Sequence, residues 1–320
     1  TFKAKNLVTQ SAQQASYQTE NTGKSESQLA MLQRLELAYD DHHKLVNRCQ
    51  QLEIEFLSTA FDHESLSFLV NDLELTNAPL LLAHAQTGAD LIVSTGMATL
   101  GEVEQALGVI AYGYLESQGL LATNLPANQM APSPQAFAEA YASDEGQALI
   151  KQKVVILHCT TEYPAPFETV NLRAMDTLKA AFDTAVGYSD HTAGLSVSIA
   201  AAARGACLIE KHFTLDQGLP GPDHKASITP VQLADMVTAI REVSASLGSP
   251  VKGPQPVEIA NKLVARKSLV AIADIAKGEP LTEHNVGVKR PGSGMSPDQY
   301  WAVLGSQASQ SYAVGALIDE

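Results

Sequence analysis

Residues 185–214 read AVGYSDHTAGLSVSIAAAARGACLIEKHFT, and the residue pattern changes three times along them. A β-branched and aromatic run, AVGYS (185–189), passes through a polar turn into an Ala-rich stretch with helical apolar spacing (195–204). A second apolar run, ACLIEKHFT (206–214), follows at once. Strand, helix and strand in so short a span make a βαβ unit, whose two strands lie parallel in one sheet.

The same alternation extends upstream. IEFLST (54–59), DLIVST (90–95) and KVVILHCT (153–160) are further strand candidates. Between and after them, 99–112 opens with Thr99-x-x-Glu102, a capping box, 171–183 carries helical apolar spacing, and 230–247 starts with a proline suited to a first helical turn. A doubly wound sheet is the rival to a barrel, but no Gly-rich phosphate fingerprint follows the first strand. Ser94, Thr160, Thr161, Ser189, His191 and His212 all fall at or just beyond C-terminal strand ends. That is where a (β/α)8 TIM barrel assembles its active site, so the pattern predicts an α/β barrel, with five of its strands visible.

A chain of 320 residues exceeds what one core usually supports. SPVKGPQPV (249–257) has the composition of a linker, and the short β-like runs SLVAIA, VGVKR and SYAVGALI beyond it predict a small, mainly β domain. The expected division is a barrel at 1–248, a linker at 249–264 and a second domain at 265–320. Residues 120–150 read as a loop insertion with one short helix, and the polar helical pattern 25–51 places His42 and His43 on a solvated face.

The formal charge of −14 argues against nucleic acid or an anionic membrane as a partner, and nearly all of the excess acid precedes Arg266. An anionic substrate then needs a local cationic site. No apolar run reaches the eighteen residues of a membrane span and the first residues carry no targeting pattern, so a cytoplasmic location is expected. Cys49, Cys159 and Cys207 are odd in number and far apart, and read as reduced core residues.

His191 and His212 end neighbouring strands, about 4.8 Å apart by sheet spacing, and two imidazoles at that depth can share one divalent ion. Either alone is more often a core or capping residue. The hydroxyls of Thr59, Ser94, Thr161 and Ser189 suit a phosphate or carboxylate, and equally suit local capping. Asp223, in PGPDHKAS (220–227), suits sugar hydroxyls or a turn. Tyr163 precedes a proline, so its backbone is extended and its phenol either faces the barrel mouth or packs there. Glu210 and Lys211 point to opposite faces of one strand, and the sequence leaves open which faces inward.

Taken together, YQTENTGKSESQ (17–28), IEFLSTAFD (54–62), IVSTGMATLGE (92–102), HCTTEYPAPF (158–167), GYSDHT (187–192), IEKHFTLD (209–216) and PGPDHKAS resemble the sialic acid synthase family. RKSLVAIADIAKGEPLT (266–282) and VKRPGSGMSP (288–297) resemble its antifreeze-like (SAF) domain. The resemblance implies condensation of phosphoenolpyruvate with N-acetylmannosamine to give N-acetylneuraminate and phosphate, or a legionaminate or pseudaminate synthase using a modified hexosamine. It implies that His191 and His212 bind a divalent metal, Mn2+ or else Mg2+ or Co2+, and that Thr59, Ser94 and Ser189 contact phosphoenolpyruvate. Thr161 stands where relatives carry Asn or Ser. Asp223 and Tyr163 match sugar-contacting positions. Arg290 matches an Arg that reaches the partner subunit's sugar, which implies a domain-exchanged homodimer. Two segments of the family pattern are missing: a first strand ahead of Thr1, and a Lys-x-x-Ser-Gly-Glu segment between Asp72 and Leu75. Both supply phosphate-binding lysines or an acid, and the full polypeptide is expected to carry them. A class II aldolase-like barrel shares metal and barrel without the second domain, and a non-enzymatic sugar- or ice-binding protein is the reading from another class.

Overall fold

The computed structural model describes residues 2–58, 60–68, 73–74, 77–126 and 130–319, and divides into two compact units, Thr1–Gly248 and Ser249–Glu320. The first unit opens with helices α1 (Ala4–Leu7), α2 (Ser16–Thr22), α3 (Gln28–Leu35), α4 (Tyr39–Gln51) and α5 (His63–Phe68). Strand β1 (Leu73–Glu74), helix α6 (Ala78–Gln86), β2 (Leu91–Ser94) and α7 (Leu100–Ser117) follow. After α8 (Leu121–Asn124), α9 (Pro134–Ala142) and α10 (Asp144–Lys153) come β3 (Val154–Cys159), α11 (Ala174–Phe182), β4 (Ala185–Asp190), α12 (Ser196–Ala203), β5 (Ile209–Lys211) and α13 (Pro230–Leu247).

The strands form one parallel sheet in the order β1-β2-β3-β4-β5, each joined to the next through helix, which is the arc of a (β/α) barrel. Parallel pairing continues past β5 in a bridge between Phe213 and Ile228. The core lies between this sheet and its helices, where Leu91, Val93, Ile110, Tyr112, Tyr114, Ile156 and Tyr188 are essentially shielded from solvent. The predicted capping box is present: the Thr99 hydroxyl accepts from Glu102 N and the Glu102 carboxylate accepts from Thr99 N at 2.7 Å. It starts the helix that contributes the largest share of that core.

Four expectations give way here. Residues 54–58 of IEFLST are not a strand: they pair with no strand among the described residues, and Ile54 N donates instead to the Cys49 carbonyl at 3.1 Å, at the end of α4. Among the described residues, 120–153 hold α8, α9 and α10 in place of a loop with one short helix; Ser133 and Ser143 cap α9 and α10, which bury Ala136, Ala140 and Ile150. The pattern 25–51 breaks into α3 and α4, and His42 is buried, its Nδ1–H donating to the Ala38 carbonyl. Of the cysteines, Cys159 alone is buried; Cys49 is half-buried, Cys207 is exposed, and all three are free.

In the second unit, the proline-rich stretch leads into helix α14 (Pro256–Ala265), with Pro256 in its first turn, so the segment read as linker is helical over its second half. Strands β6 (Ser268–Ala271) and β7 (Val286–Lys289) pair antiparallel, with further bridges from Val270 to Leu317, Ile275 to Tyr312 and Pro280 to Gln307. Leu269, Ile275, Leu281, Val286, Tyr312 and Ile318 form its own core. A small strand-rich domain is what the alternating runs predicted.

Candidate active site

The register of β3, β4 and β5 places Cys159 beside Ser189 and Ser189 beside Glu210. Side chains of a strand alternate, so these three share one face with His191 and His212, and Asp190 and Lys211 share the other. The open question about β5 is thereby answered: Glu210 faces the cluster, where its Oε1 accepts the Ser189 hydroxyl proton at 2.5 Å. Lys211 points away and forms an ion pair with Asp190 at 3.1 Å.

His191 Nδ1 lies 2.6 Å from the Thr160 carbonyl oxygen, which can only accept, so this nitrogen carries the ring proton. Burial, with His212 adding to it, holds the His191 pKa below the ordinary imidazole value, so the ring is neutral at pH 7 and Nε2 keeps its lone pair. Ser189 Oγ is 3.2 Å from that Nε2, but its one hydrogen is committed to Glu210. Nε2, the serine oxygen and the Glu210 carboxylate are therefore gathered acceptors short of a donor. His212 presents its ring to His191 edge to face, with centroids 5.4 Å apart.

The free Nε2 of His191, its tautomer fixed by the Thr160 carbonyl as metal-binding histidines ordinarily require, and the adjacent His212 ring would suit a divalent cation held between them. Among the described residues no group of three or more His, Cys, Asp or Glu gathers closely enough to form a closed cage. An ion held by two protein nitrogens would keep positions for water and substrate.

Tyr163 covers both imidazoles, its ring centroid 4.2 Å from His191 and 5.2 Å from His212. Burial raises its pKa, so the phenol keeps its proton. Asp223 Oδ2 stands 3.9 Å from His212 Nδ1, on the loop facing Tyr163. Ser94 ends β2 with its hydroxyl 2.9 Å from Cys159 Sγ, and Thr161 packs against Gly96, where an added Cβ would meet its hydroxyl at 2.5 Å. Ser94, Tyr163, Ser189, His191, His212 and Asp223 thus come from the loops and strand ends of one barrel mouth. Thr59 lies outside the described residues. Arg290, in the second unit, is exposed and donates from Nε to the Ala265 carbonyl at 3.1 Å.

Two residues of α2 also reach this mouth, although sequence patterning pointed to neither. Asn21 Nδ2 donates to the Tyr163 carbonyl at 2.8 Å and to the Pro222 carbonyl at 2.6 Å, tying together the loops that carry Tyr163 and Asp223. Tyr17 extends the aromatic stack, 5.2 Å from Tyr163, with its pKa raised by burial and by Asp223.

A parallel barrel with polar strand ends, followed by a small strand-rich domain, defines the class. The chain belongs to the NeuB family, whose model matches residues 1–252, and the SAF domain model matches residues 266–319. It is 42% identical to an N,N'-diacetyllegionaminic acid synthase of Campylobacter jejuni over 329 aligned residues, covering all of this chain and 88% of that one. A synthase of the same name from Legionella pneumophila is 36% identical, covering 99% of this chain and 83% of that one. Among solved structures, N-acetylneuraminic acid synthetase from Leptospira borgpetersenii is similar, at a TM-score of 0.58 and 27% identity, covering 77% of this chain and 76% of the other. Among the described residues no helix is long and apolar enough to cross a membrane.

Proposed function

We propose that this protein condenses phosphoenolpyruvate with a hexosamine bearing two acetamido groups, giving N,N'-diacetyllegionaminate and phosphate. The observation that carries the sugar assignment is the 42% identity to a synthase of that product along the whole chain. It displaces N-acetylmannosamine as the first expectation, since the N-acetylneuraminic acid synthetase is the more distant at 27%. Phosphoenolpyruvate brings three carbons and no nitrogen, so both acetamido groups of such a product come from the sugar.

The reaction balances without a redox partner. C3 of phosphoenolpyruvate bonds to the aldehyde carbon of the open-chain sugar, water adds at C2, and the tetrahedral carbon expels phosphate. A divalent ion held by His191 and His212, Mn2+ or else Mg2+ or Co2+, supplies Lewis-acid polarisation of the aldehyde. Ser94 and Thr161 offer hydroxyls to the phosphoenolpyruvate anion, Ser189 joins them when its hydrogen turns from Glu210 to the ligand, and Thr59 is assigned with them by resemblance alone. Glu210 is the inward carboxylate suited to receive the proton of the adding water. Asp223 accepts from sugar hydroxyls, and the protonated Tyr163 donates. Arg290 of a second copy completes the sugar site in an exchanged homodimer, where its planar fork suits paired oxygens.

The test is phosphate release with product mass, using phosphoenolpyruvate and either N-acetylmannosamine or a 2,4-diacetamido hexosamine. The diacetamido sugar is expected to win in kcat/KM by at least about tenfold, the worth of one net hydrogen bond of about 1.4 kcal/mol. Equal or reversed preference refutes the sugar assignment, and no phosphate release with either refutes the reaction.

A further inference from the structure

Behind the two histidines, on the helix-facing side of the sheet, lies an ion pair that the chemistry above does not use. Asp190 is fully buried and the Lys211 side chain is 2% exposed. They are register partners across β4 and β5, and each is the residue immediately before one histidine. The Asp190 carboxylate accepts from Thr192 N at 2.8 Å, from Thr192 Oγ1 at 2.8 Å and from Ser198 Oγ at 2.5 Å, the last reaching over from α12. Lys211 Nζ donates to the Thr192 carbonyl besides pairing with Asp190. Lys211 therefore holds the chain on both sides of His191, at residue 190 by its partner's carboxylate and at residue 192 by the carbonyl, while standing next to His212 itself.

A buried ion pair is a poor source of net stability, because desolvating both charges offsets most of their attraction. What such a pair enforces well is register. The β4–β5 ladder ends at Asp190 and Lys211, so beyond it no strand hydrogen bonds between the two fix His191 against His212. Each histidine is instead held from its outer side, His191 by Ala165 N on its carbonyl at 2.9 Å and His212 by Ile228 N at 2.8 Å. Both outer contacts are to other segments, and a slip of one residue along the sheet would move an imidazole by about 3.3 Å and reverse its face.

We propose that the Asp190–Lys211 pair is a positioning device that sets the separation of His191 and His212, and hence the affinity of this site for a divalent cation. It rests on the two-histidine reading of the site. Neither residue touches the ion; both act through the backbone of the ligand beside them.

The experiment measures Mn2+ binding by titration calorimetry on chelator-stripped protein, alongside the melting temperature, for the wild type, Asp190→Asn/Lys211→Met and Lys211→Gln. The double variant removes both charges together at similar volume, so it is expected to melt near the wild type. Its Mn2+ affinity is expected to fall about 10–100-fold, the range for lost supports behind a metal ligand. Lys211→Gln keeps one donor for Asp190 or Thr192, and an intermediate loss is expected. A merely structural pair would move melting without moving the Mn2+ affinity of the folded protein. The proposal is overturned if the folded double variant binds Mn2+ within about twofold of the wild type, or, should that variant fail to fold, if folded Lys211→Gln does so. Wild-type protein that binds no Mn2+, or binds it equally well as His191→Ala, overturns the two-histidine reading instead, which separates the two failures.

Discussion

Replacing Asn21 by Ala should weaken the use of sugar while sparing phosphoenolpyruvate. The Asn21 amide has two protons, one for the Tyr163 carbonyl at 2.8 Å and one for the Pro222 carbonyl at 2.6 Å. Each such bond is worth about 1 kcal/mol net, so Asn21→Ala forfeits about 2 kcal/mol of the closure between the two loops. Were all of that needed to hold Tyr163 and Asp223 around the sugar, kcat/KM for the sugar would drop about thirtyfold; partial hydration of the freed carbonyls brings the expectation to about ten- to thirtyfold. Ser94 and Ser189 sit on β2 and β4 and depend on neither bond, so the KM for phosphoenolpyruvate should stay within about twofold. Asn21→Asp should be worse than Asn21→Ala, because a carboxylate facing two carbonyl oxygens has nothing to donate. The assay is steady-state phosphate release with each substrate varied in turn, with melting curves for each variant. An unchanged kcat/KM for the sugar, an equal fall for both substrates, or an Asp variant better than the Ala variant would refute the latch.

Further outcomes follow from the proposed function and from hydrogen bonds elsewhere in the barrel unit. His191→Ala and His212→Ala should each lower turnover by more than about 100-fold and weaken Mn2+ binding, with the fold retained by circular dichroism. If the proposed exchanged homodimer holds, mixing Arg290→Ala with His191→Ala subunits under exchange should restore activity, since one site of a mixed dimer would have both an intact barrel and an intact arm; demonstrated heterodimers without recovery would sink the exchanged arrangement. Asp62 should govern acid stability. Burial raises its pKa, but hydrogen bonds from Lys3 N at 2.9 Å, Ser65 N at 2.9 Å, Ser65 Oγ at 3.0 Å and Asn6 Nδ2 at 3.4 Å outweigh burial and hold it below the ordinary carboxylate value. A depressed folded pKa contributes stability above the unfolded value, about pH 4, that is lost as pH falls through the folded value. Urea melts between about pH 5 and pH 2 should show that loss in the wild type and a smaller one in Asp62→Asn, which should itself be less stable by about 1–3 kcal/mol at pH 7.

The unit 185–214 was legible because every level of it agreed. Its apolar runs became β4 and β5 and its Ala-rich stretch became α12. IEFLST carries the same local signal, yet its described residues 54–58 are not a strand, because strand formation depends on a partner that local composition cannot report. Residues 120–150 failed for the opposite reason. The local signals are sufficient, with Ser133-Pro134 and Ser143 at cap positions, but the neighbouring Pro and Asn residues equally favour a loop.

For the site, polarity at strand ends locates the mouth, and alternation carries further information. Once His212 is assigned to the inner face, Glu210, two residues earlier, must share that face, and Lys211 must point outward toward whatever His191's own predecessor presents. Because β4 and β5 are parallel, that predecessor is Asp190, of opposite charge and in register. The buried pair was therefore implied by two dipeptides, Asp-His and Lys-His, on adjacent strands. Asn21 carried no comparable signal: its partners are backbone carbonyls 142 and 201 residues away, and carbonyl positions leave no trace in residue identity. What a sequence pattern transmits is the phase of side chains along an element; what it leaves out is which distant backbone groups the fold brings within reach of a lone amide.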